Sequence, residues 1–182
     1  SVVTLTNNVT MLSFTIAGSP YTLLLTNGAQ LSSGAVSIGN GSSYNTVSVF
    51  SNSAWILGPN KALTVGNGAA TGNVLTIDGG LVTNVATLNL AGGSANAAYN
   101  SIVITNGGRL ALCGAVNPWA YLGGYGCYSN SVTVTGPGSA LSCDSNSFLF
   151  MGSYQFAWII GRTTLSILEG AQADATYLRI CY

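Results

Sequence analysis

Residues 99 to 113 read YNSIVITNGGRLALC, and this stretch decides the fold of the chain. Ile102 and Ile104 alternate with neighbours that point the other way, which is the period-two pattern of a β-strand. Asn106 and Gly107 follow as a turn, since both residue types tolerate the positive φ that a tight corner requires. A further apolar step, RLAL, comes after the turn. Versions of this stretch return along the chain, so the sequence predicts a repeat protein built of β-strands.

The alternating apolar pairs that open each unit align seven times. They are Val3/Leu5, Leu23/Leu25, Val47/Val49, Leu75/Ile77, Ile102/Ile104, Val132/Val134 and Leu165/Ile167, at successive spacings of 20, 24, 28, 27, 30 and 33 residues. A second pair follows in each unit: Phe14/Ile16, Val36/Ile38, Leu63/Val65, Leu88/Leu90, Ala120/Leu122, Phe148/Phe150 and Leu178/Ile180. We therefore predict seven units with two strands each.

Asparagine recurs at one corner of the repeat. It stands two residues before the first strand of four consecutive units, as Asn45, Asn73, Asn100 and Asn130. Side chains at equivalent corners can stack, with each amide hydrogen-bonded to the copy above it. We expect an asparagine ladder at this corner.

Two architectures use strand pairs at such spacing, a meander of hairpins and a solenoid whose coils stack in parallel. Equivalent positions hold equivalent apolar residues in successive units, which favours stacking of like on like at about 4.8 Å. Units of 20 to 33 residues also match solenoid repeats. We predict an all-β, single-domain parallel β-solenoid over residues 1–182, with about seven coils and a height of roughly 34 Å. Parallel crossovers favour the right hand.

Units such as VLTIDGGLVTN, SIVITNGGRLAL and SVTVTGPGSALSC resemble the degenerate repeats of bacterial secreted β-helix proteins, of the autotransporter-passenger type. The resemblance covers essentially the whole chain. It implies a right-handed parallel β-helix at the cell exterior that serves adhesion or structure. The chain departs from that family in being short.

Charge is almost absent, with 8 charged residues among 182 and a net charge of zero. Nothing here attracts nucleic acid or an anionic membrane. Apolar runs of two to five residues do not approach the 18 or more that span a bilayer, so we expect no membrane span. The chain opens on SVVTLTNN, and a secretion signal is expected to have been removed or to lie outside the numbered chain.

Residues for catalysis are scarce. The chain has no histidine, which excludes Ser-His-Asp and Cys-His arrangements, and no phosphate-binding or dinucleotide motif occurs. Asp78 and Glu169 fall at matching corners about 14 Å apart, beyond the roughly 5 to 9.5 Å of paired glycosidase carboxylates. Glu169 and Asp174 share a unit and are expected to form a solvated pair. Polysaccharide lyases also use parallel β-helices, but their acid clusters have no counterpart here. We predict no enzymatic activity, no metal site and no cofactor.

Four cysteines raise the question of disulfides. Cys113 and Cys143 follow the first strand pairs of neighbouring units by the same number of residues, which predicts Cα atoms about 5 Å apart, within disulfide reach. Cys127 and Cys181 remain, to pair with each other or to leave Cys181 for another subunit. Four cysteines allow three connectivities, between which sequence does not choose, and buried free thiols are the alternative.

Two further sets of residues are candidates for surface roles. Asn8 and Asn40 head N-x-S/T sequons at predicted corners, as glycosylation sites or as plain turn residues. Aromatic residues gather in the later units, either as a lid over the tube or as a contact surface that suits interfaces and sugar. They are Trp119, Tyr121, Tyr125, Tyr128, Tyr154, Phe156 and Trp158.

Both ends of the chain read as strands, SVVTLT and YLRICY, without a capping helix. Terminal rungs of solenoids expose unpaired backbone groups that need a cover. Either the sequence is a fragment, or each end is covered by the opposite end of another copy, which makes an open filament. The leading hypothesis is an extracellular structural protein whose partner is itself, as a head-to-tail homopolymer. The alternative is a surface adhesin or autotransporter-like passenger segment that contacts carbohydrate or a cell surface.

A minor alternative follows from the outward positions of the first strands. Many of them hold Thr or Ser, which suggests ice binding, but the same columns also contain Leu24, Phe50, Val103 and Leu168. The exterior of a β-sheet favours Thr in any case.

Overall fold

The structure is a computed structural model that describes residues 1–18, 20–92, 96–115, 117–124, 126–144, 147–152 and 162–180. Within these ranges the chain forms β-strands and no helix. In chain order they are β1 (Val2–Leu5), β2 (Val9–Met11), β3 (Phe14–Ile16), β4 (Thr22–Leu25), β5 (Gln30–Ser33), β6 (Val36–Asn40), β7 (Thr46–Phe50), β8 (Ala54–Leu57), β9 (Ala62–Asn67), β10 (Val74–Asp78), β11 (Leu81–Thr83), β12 (Thr87–Gly92), β13 (Ser101–Thr105), β14 (Arg109–Leu112), β15 (Trp119–Leu122), β16 (Asn130–Thr135), β17 (Ala140–Cys143), β18 (Phe148–Met151), β19 (Thr163–Leu168), β20 (Gln172–Asp174) and β21 (Tyr177–Ile180).

Every third strand belongs to the same sheet. The first sheet has the order β1-β4-β7-β10-β13-β16-β19, the second β2-β5-β8-β11-β14-β17-β20, and the third β3-β6-β9-β12-β15-β18-β21. The pairings between neighbouring strands are parallel, so each turn of the chain adds one strand to each of three sheets. This arrangement confirms the predicted all-β parallel solenoid. Its handedness stays a prediction.

The core is filled by columns of like residues. In the first sheet Val47 pairs with Leu75, and Leu75 pairs with Ile102. All three side chains are fully buried. The residues two positions further along the same strands, Val49, Ile77 and Ile104, are fully buried as well. A single coil cannot bury its apolar row, so stacking supplies the driving force for the fold.

Each coil contains three strands, and the prediction of two was wrong. The missed strands form the second sheet, where β5, β11 and β17 each contribute a single well-buried apolar side chain to the core, namely Leu31, Val82 and Leu141. One buried residue gives no alternating pair to detect. The strands of the second sheet with a single buried residue therefore cannot be recognised from alternation in the sequence.

The facing of β18 also differs from the prediction. Leu149 pairs with Ala120 and Met151 with Leu122, so these residues point inward. Phe148 and Phe150 consequently lie on the outer face, not in the core as their alternation suggested. The strand reads FLFM, and an apolar sequence on both faces does not reveal which face is buried.

Candidate functional site

The four predicted corner asparagines form a continuous ladder where the chain passes from the third sheet to the first. All four are buried. Nδ2 of Asn45 donates to Oδ1 of Asn73 over 2.9 Å, and Nδ2 of Asn73 donates to Oδ1 of Asn100 over 2.9 Å. Nδ2 of Asn100 donates to Oδ1 of Asn130 over 3.1 Å. The ladder thus links four successive coils through their side chains.

The same amides also satisfy the backbone around them. Oδ1 of Asn100 accepts a second hydrogen bond from the backbone N–H of Asn73 at 3.0 Å, and Nδ2 of Asn100 donates to the carbonyl of Ala70 at 3.0 Å. Asn73 and Asn130 repeat this pattern with the carbonyls of Ser42 and Ala97. Buried polar groups are costly unless they are hydrogen-bonded. Each asparagine side chain therefore stabilises the corner by pairing with backbone groups that are buried there.

Small residues with left-handed backbone make room for the ladder. Gly39 and Gly66 occupy equivalent positions of the third sheet, with φ of 77° and 74°. A Cβ on either one would overlap the amide of Asn73 or of Asn100, respectively. Each of these glycines therefore admits an amide from the neighbouring coil.

Aromatic residues form a second ladder, on the outer face of the third sheet. Trp119 pairs with Phe148 and Phe148 with Tyr177 along successive strands, and both ring pairs stack with centroids 4.8 Å apart. Tyr121 and Phe150 stack beside them at 5.4 Å. Of the predicted contact aromatics that the structure describes, Trp119 and Tyr121 belong here. We call these five residues the aromatic ladder.

The orientation of the rings determines what this ladder can do. The interplanar angles of the stacked pairs across neighbouring strands are 9° to 21°, so the rings face one another along the solenoid axis. Their faces are occupied by each other, and Phe150 is buried, with 4% of its surface exposed. The arrangement is suited to holding coils together, and it leaves few ring faces for a sugar to stack on. Tyr177, in the outermost described strand of this sheet, is more than half exposed.

Tyrosines line the edge next to the asparagine ladder. Tyr44, Tyr99 and Tyr128 are exposed, and we call them the tyrosine edge. Tyr44 and Tyr99 immediately precede ladder asparagines and have φ of 62° and 55°, a conformation rare for bulky residues. This left-handed residue turns the chain so that the following asparagine points inward. Gly72 fills the equivalent position between them.

The remaining predicted aromatics, Tyr125, Tyr154, Phe156 and Trp158, lie outside the described residues. Sequence reasoning missed Phe148, Phe150 and Tyr177 as members of the aromatic ladder. A signal was present, because an aromatic residue recurs at one outward position in three successive units.

Cys113, Cys127 and Cys143 form no disulfide with one another in the part of the chain that the structure describes, and Cys181 lies outside the described residues. The expected juxtaposition of Cys113 and Cys143 was wrong. Cys143 pairs with Leu112, because the corner that precedes β17 contains one residue more than the corner that precedes β14. This extra residue shifts the second sheet by one position relative to the first.

The Cys143 thiol is expected to react slowly in the native chain. Burial raises the pKa of Cys143 to about 11, and only the thiolate is nucleophilic. At pH 8 about one thiol in a thousand is ionised, and alkylation should accelerate about tenfold per pH unit up to the pKa. Iodoacetamide labelling with peptide mapping measures the rate, and the chain unfolded in denaturant is the control. Rapid labelling of native Cys143 at pH 8 would contradict this expectation.

Both sequon asparagines are exposed. Oδ1 of Asn8 accepts a hydrogen bond from the backbone N–H of Gln30 at 3.0 Å, and Oδ1 of Asn40 accepts one from Nδ2 of Asn67 at 2.9 Å. These contacts fit turn residues that support a neighbouring coil. Glycosylation of either one stays a prediction.

Two of the carboxylates make local hydrogen bonds. Oδ1 of Asp78 accepts from Nδ2 of Asn106 at 2.6 Å, and Oε2 of Glu169 accepts from the hydroxyl of Thr135 at 3.0 Å. Among the described residues, His, Cys, Asp and Glu side chains form no group of three that could hold a metal ion. The described ranges also contain no helix of the length and apolarity needed to cross a membrane.

The outermost described coils present core-type side chains to solvent. Val3, Met11, Phe14, Ile16 and Leu23 are among the residues that line an open cavity of about 290 Å³ at the β1 end. At the other end, Ile167, Leu178 and Ile180 are exposed. The columns to which these residues belong are fully buried in the central coils.

Comparisons with known proteins gave one match. Neither the family models nor the curated proteins contain a match to this chain. Among solved structures, the chain is similar to one described as "Crystal structure of TibC-catalyzed hyper-glycosylated TibA55-350 fragment", at 12% identity over 99% of this chain and 87% of that chain. The TM-score is 0.16, a value too low to establish a common fold.

Proposed function

We propose that this chain is a non-catalytic, extracellular structural protein that associates head to tail with further copies of itself through the open edges of its outer coils. The observation that carries the proposal is the exposure of the inward columns at these edges. Val3 is 53% exposed at one edge, and Leu178 and Ile180 are 58% and 64% exposed at the other. Contiguous apolar surface of this kind is typical of an interaction site.

The two edges are complementary because they belong to the same repeat. The β19, β20 and β21 strands end the three sheets that β1, β2 and β3 begin. A second copy placed on this edge would continue each column, with Leu165 against Val3 and Leu178 against Phe14. The interface would then repeat the parallel pairing that joins every coil to the next within the chain, and it would give partners to the unpaired backbone groups of both edges.

Charge and aromatic stacking favour the same association. Residues 1–18 contain no charged side chain, so no charged side chain has to be desolvated at the β1 edge. At the opposite edge Tyr177 ends the aromatic ladder with its ring stacked only on the Phe148 side among the described contacts. Heterologous contacts that do not close into a ring give open filaments.

Leu178→Lys is expected to reduce this association at least tenfold, because it places a charge in the middle of the proposed interface. Sedimentation velocity over a concentration series measures the association, and negative-stain microscopy shows the length of the particles. Leu81→Lys is the matched control, since Leu81 is 36% exposed on an outer face in the centre of the tube.

Two results would overturn the proposal. The first is an unmodified chain that stays monomeric as short rods at high concentration, which would leave the apolar columns to be covered by other sequence of the natural protein. The second is an equal effect of Leu178→Lys and Leu81→Lys, which would place the association elsewhere on the surface.

The second candidate function is that of a surface adhesin segment for neutral carbohydrate. The tyrosine edge favours it, because three exposed phenols on one corner offer both apolar surface and hydroxyl groups, and the zero net charge suits an uncharged ligand. Binding of the chain to an array of neutral glycans tests this function, with Tyr44→Ser as the variant. Binding that Tyr44→Ser, Tyr99→Ser and Tyr128→Ser all leave unchanged would exclude the edge as its site.

A further inference from the structure

Two residues of the tyrosine edge are in direct contact. The rings of Tyr99 and Tyr128 meet edge to face, with centroids 5.7 Å apart and an interplanar angle of 83°. They are 59% and 44% exposed, respectively. The two residues belong to neighbouring coils and are separated by almost a full turn of the solenoid.

The backbone holds this pair in position. The N–H of Tyr99 donates to the carbonyl of Tyr128 at 3.2 Å, and the N–H of Tyr128 donates to the carbonyl of Ala97 at 3.2 Å. Ala98 and Tyr128 also form a parallel bridge. The stacking of the two coils therefore places the phenols next to each other.

Tyr99 occupies a position where glycine would be less strained. Its φ of 55° is left-handed, and the equivalent residue of the preceding coil is Gly72, with φ of 67°. A bulky side chain in this conformation costs about 1–2 kcal/mol, and such strain is concentrated at functional sites. This strained backbone conformation places the phenol of Tyr99 against that of Tyr128.

We propose that Tyr99 and Tyr128 form a site of oxidative phenol coupling, at which a peroxide-dependent one-electron oxidant joins the two rings. Each phenol loses one electron and one proton, and a carbon–carbon bond forms between ring carbons ortho to the hydroxyls. The two electrons and two protons reduce one hydrogen peroxide to two water molecules. The product is a covalent link between neighbouring coils, which restrains the unfolded chain as a disulfide does.

Four other described tyrosines are placed differently. The ring of Tyr21 lies against Gly18, where a Cβ would stand 2.6 Å from it. The ring of Tyr44 lies over the backbone of Gly72, where a Cβ would stand 2.8 Å from it. Tyr121 and Tyr177 are stacked within the aromatic ladder. Tyr44 is more exposed than Tyr99 and Tyr128. Tyr44→Phe is therefore a control for an accessible phenol that does not take part in the contact between Tyr99 and Tyr128.

The test is peptide mapping after brief treatment with horseradish peroxidase and hydrogen peroxide at low protein concentration. Trypsin cleaves after Lys61, Arg109 and Arg162, so Tyr99 is the sole tyrosine of peptide 62–109 and Tyr128 lies in peptide 110–162. The expected product is these two peptides joined, with a mass two hydrogen atoms below their sum. Tyr99→Phe and Tyr128→Phe should each lower its yield at least tenfold, whereas Tyr44→Phe should leave it unchanged.

Three results would overturn the proposal. In the first, the linked peptides persist in Tyr128→Phe, which assigns the coupling to another tyrosine of peptide 110–162. In the second, the yield falls with dilution, which shows coupling between copies. In the third, no dityrosine fluorescence appears in a chain whose circular dichroism is that of the folded state. Since Phe retains the ring and both positions are exposed, the variants are expected to fold.

Discussion

Replacement of Asn100 by alanine is expected to lower the free energy of unfolding by about 3–5 kcal/mol. Asn100 lies in the middle of the ladder and takes part through its side chain in hydrogen bonds to Asn73, Asn130 and Ala70. Alanine removes all of them at once. The backbone N–H of Asn73 then loses its acceptor, and a buried donor left unpaired costs about 1–3 kcal/mol. The amide of Asn73 keeps its bond to the carbonyl of Ser42, and the carbonyl of Ala70 keeps its bond from the N–H of Ala98, so each of the other lost bonds costs about 0.5–1.5 kcal/mol. Guanidinium denaturation followed by circular dichroism measures the loss.

The chain supplies a matched control for this substitution. Nδ2 of Asn67 donates to Oδ1 of Asn40 at 2.9 Å, which is the same amide-to-amide bond on the exposed side of the tube. Because water replaces the lost partner there, Asn67→Ala should cost less than about 1 kcal/mol. Equal losses in Asn67→Ala and Asn100→Ala would show that burial of the ladder does not matter to stability. Hydrogen exchange should also show faster exchange of the Asn73 amide in Asn100→Ala.

The substitution Gly66→Ala is expected to destabilise the chain by about 2–5 kcal/mol, for two reasons that add. Gly66 has φ of 74°, where an L-residue costs about 1–2 kcal/mol. A Cβ at this position would also overlap the amide of Asn100, so the ladder has to shift and its hydrogen bonds lengthen. Overpacking of this kind typically costs about 1–3 kcal/mol more. Thermal and chemical denaturation both measure the effect.

Two other substitutions separate strain from overlap. Gly41 has φ of 63° and open space around the position of a Cβ, so Gly41→Ala should cost only the 1–2 kcal/mol or so of conformation. Ala91 is equivalent to Gly66 and has φ of 56°. Ala91→Gly relieves that strain but removes a buried methyl worth about 0.8 kcal/mol, so a change below about 1 kcal/mol is expected. A Gly66→Ala loss no larger than that of Gly41→Ala would contradict the proposed fit of the ladder.

Both predictions concern coupling between coils, and the proposed association depends on the same coupling. Each coil of a solenoid contacts only its neighbours, so stability is close to a sum of coil and interface contributions. A ladder that joins four coils makes the central part of the tube a cooperative unit. An edge that adds coils from a second copy would extend this unit, provided that the outer columns keep the register of the inner ones.

The first and third sheets were largely predictable because their information is local. Alternation of Ile102 and Ile104 identifies a strand within five residues, and the recurrence of such pairs identifies the coil. Asn45, Asn73, Asn100 and Asn130 were predictable for the same reason, since a corner that repeats in sequence repeats in space. These features need no knowledge of what packs against them.

The sequence by itself determined the all-β class, the parallel stacking and the asparagine corner, because period-two alternation and regular spacing are properties of the chain alone. Only the tertiary structure decided the second sheet, the outward facing of Phe148 and Phe150, and the register that separates Cys113 from Cys143. The second sheet contains strands with a single buried apolar residue, and the other two features depend on a strand that is apolar on both sides or on one residue more at a corner. In such cases the side chain's environment is set by the neighbouring coil, which the local sequence does not specify.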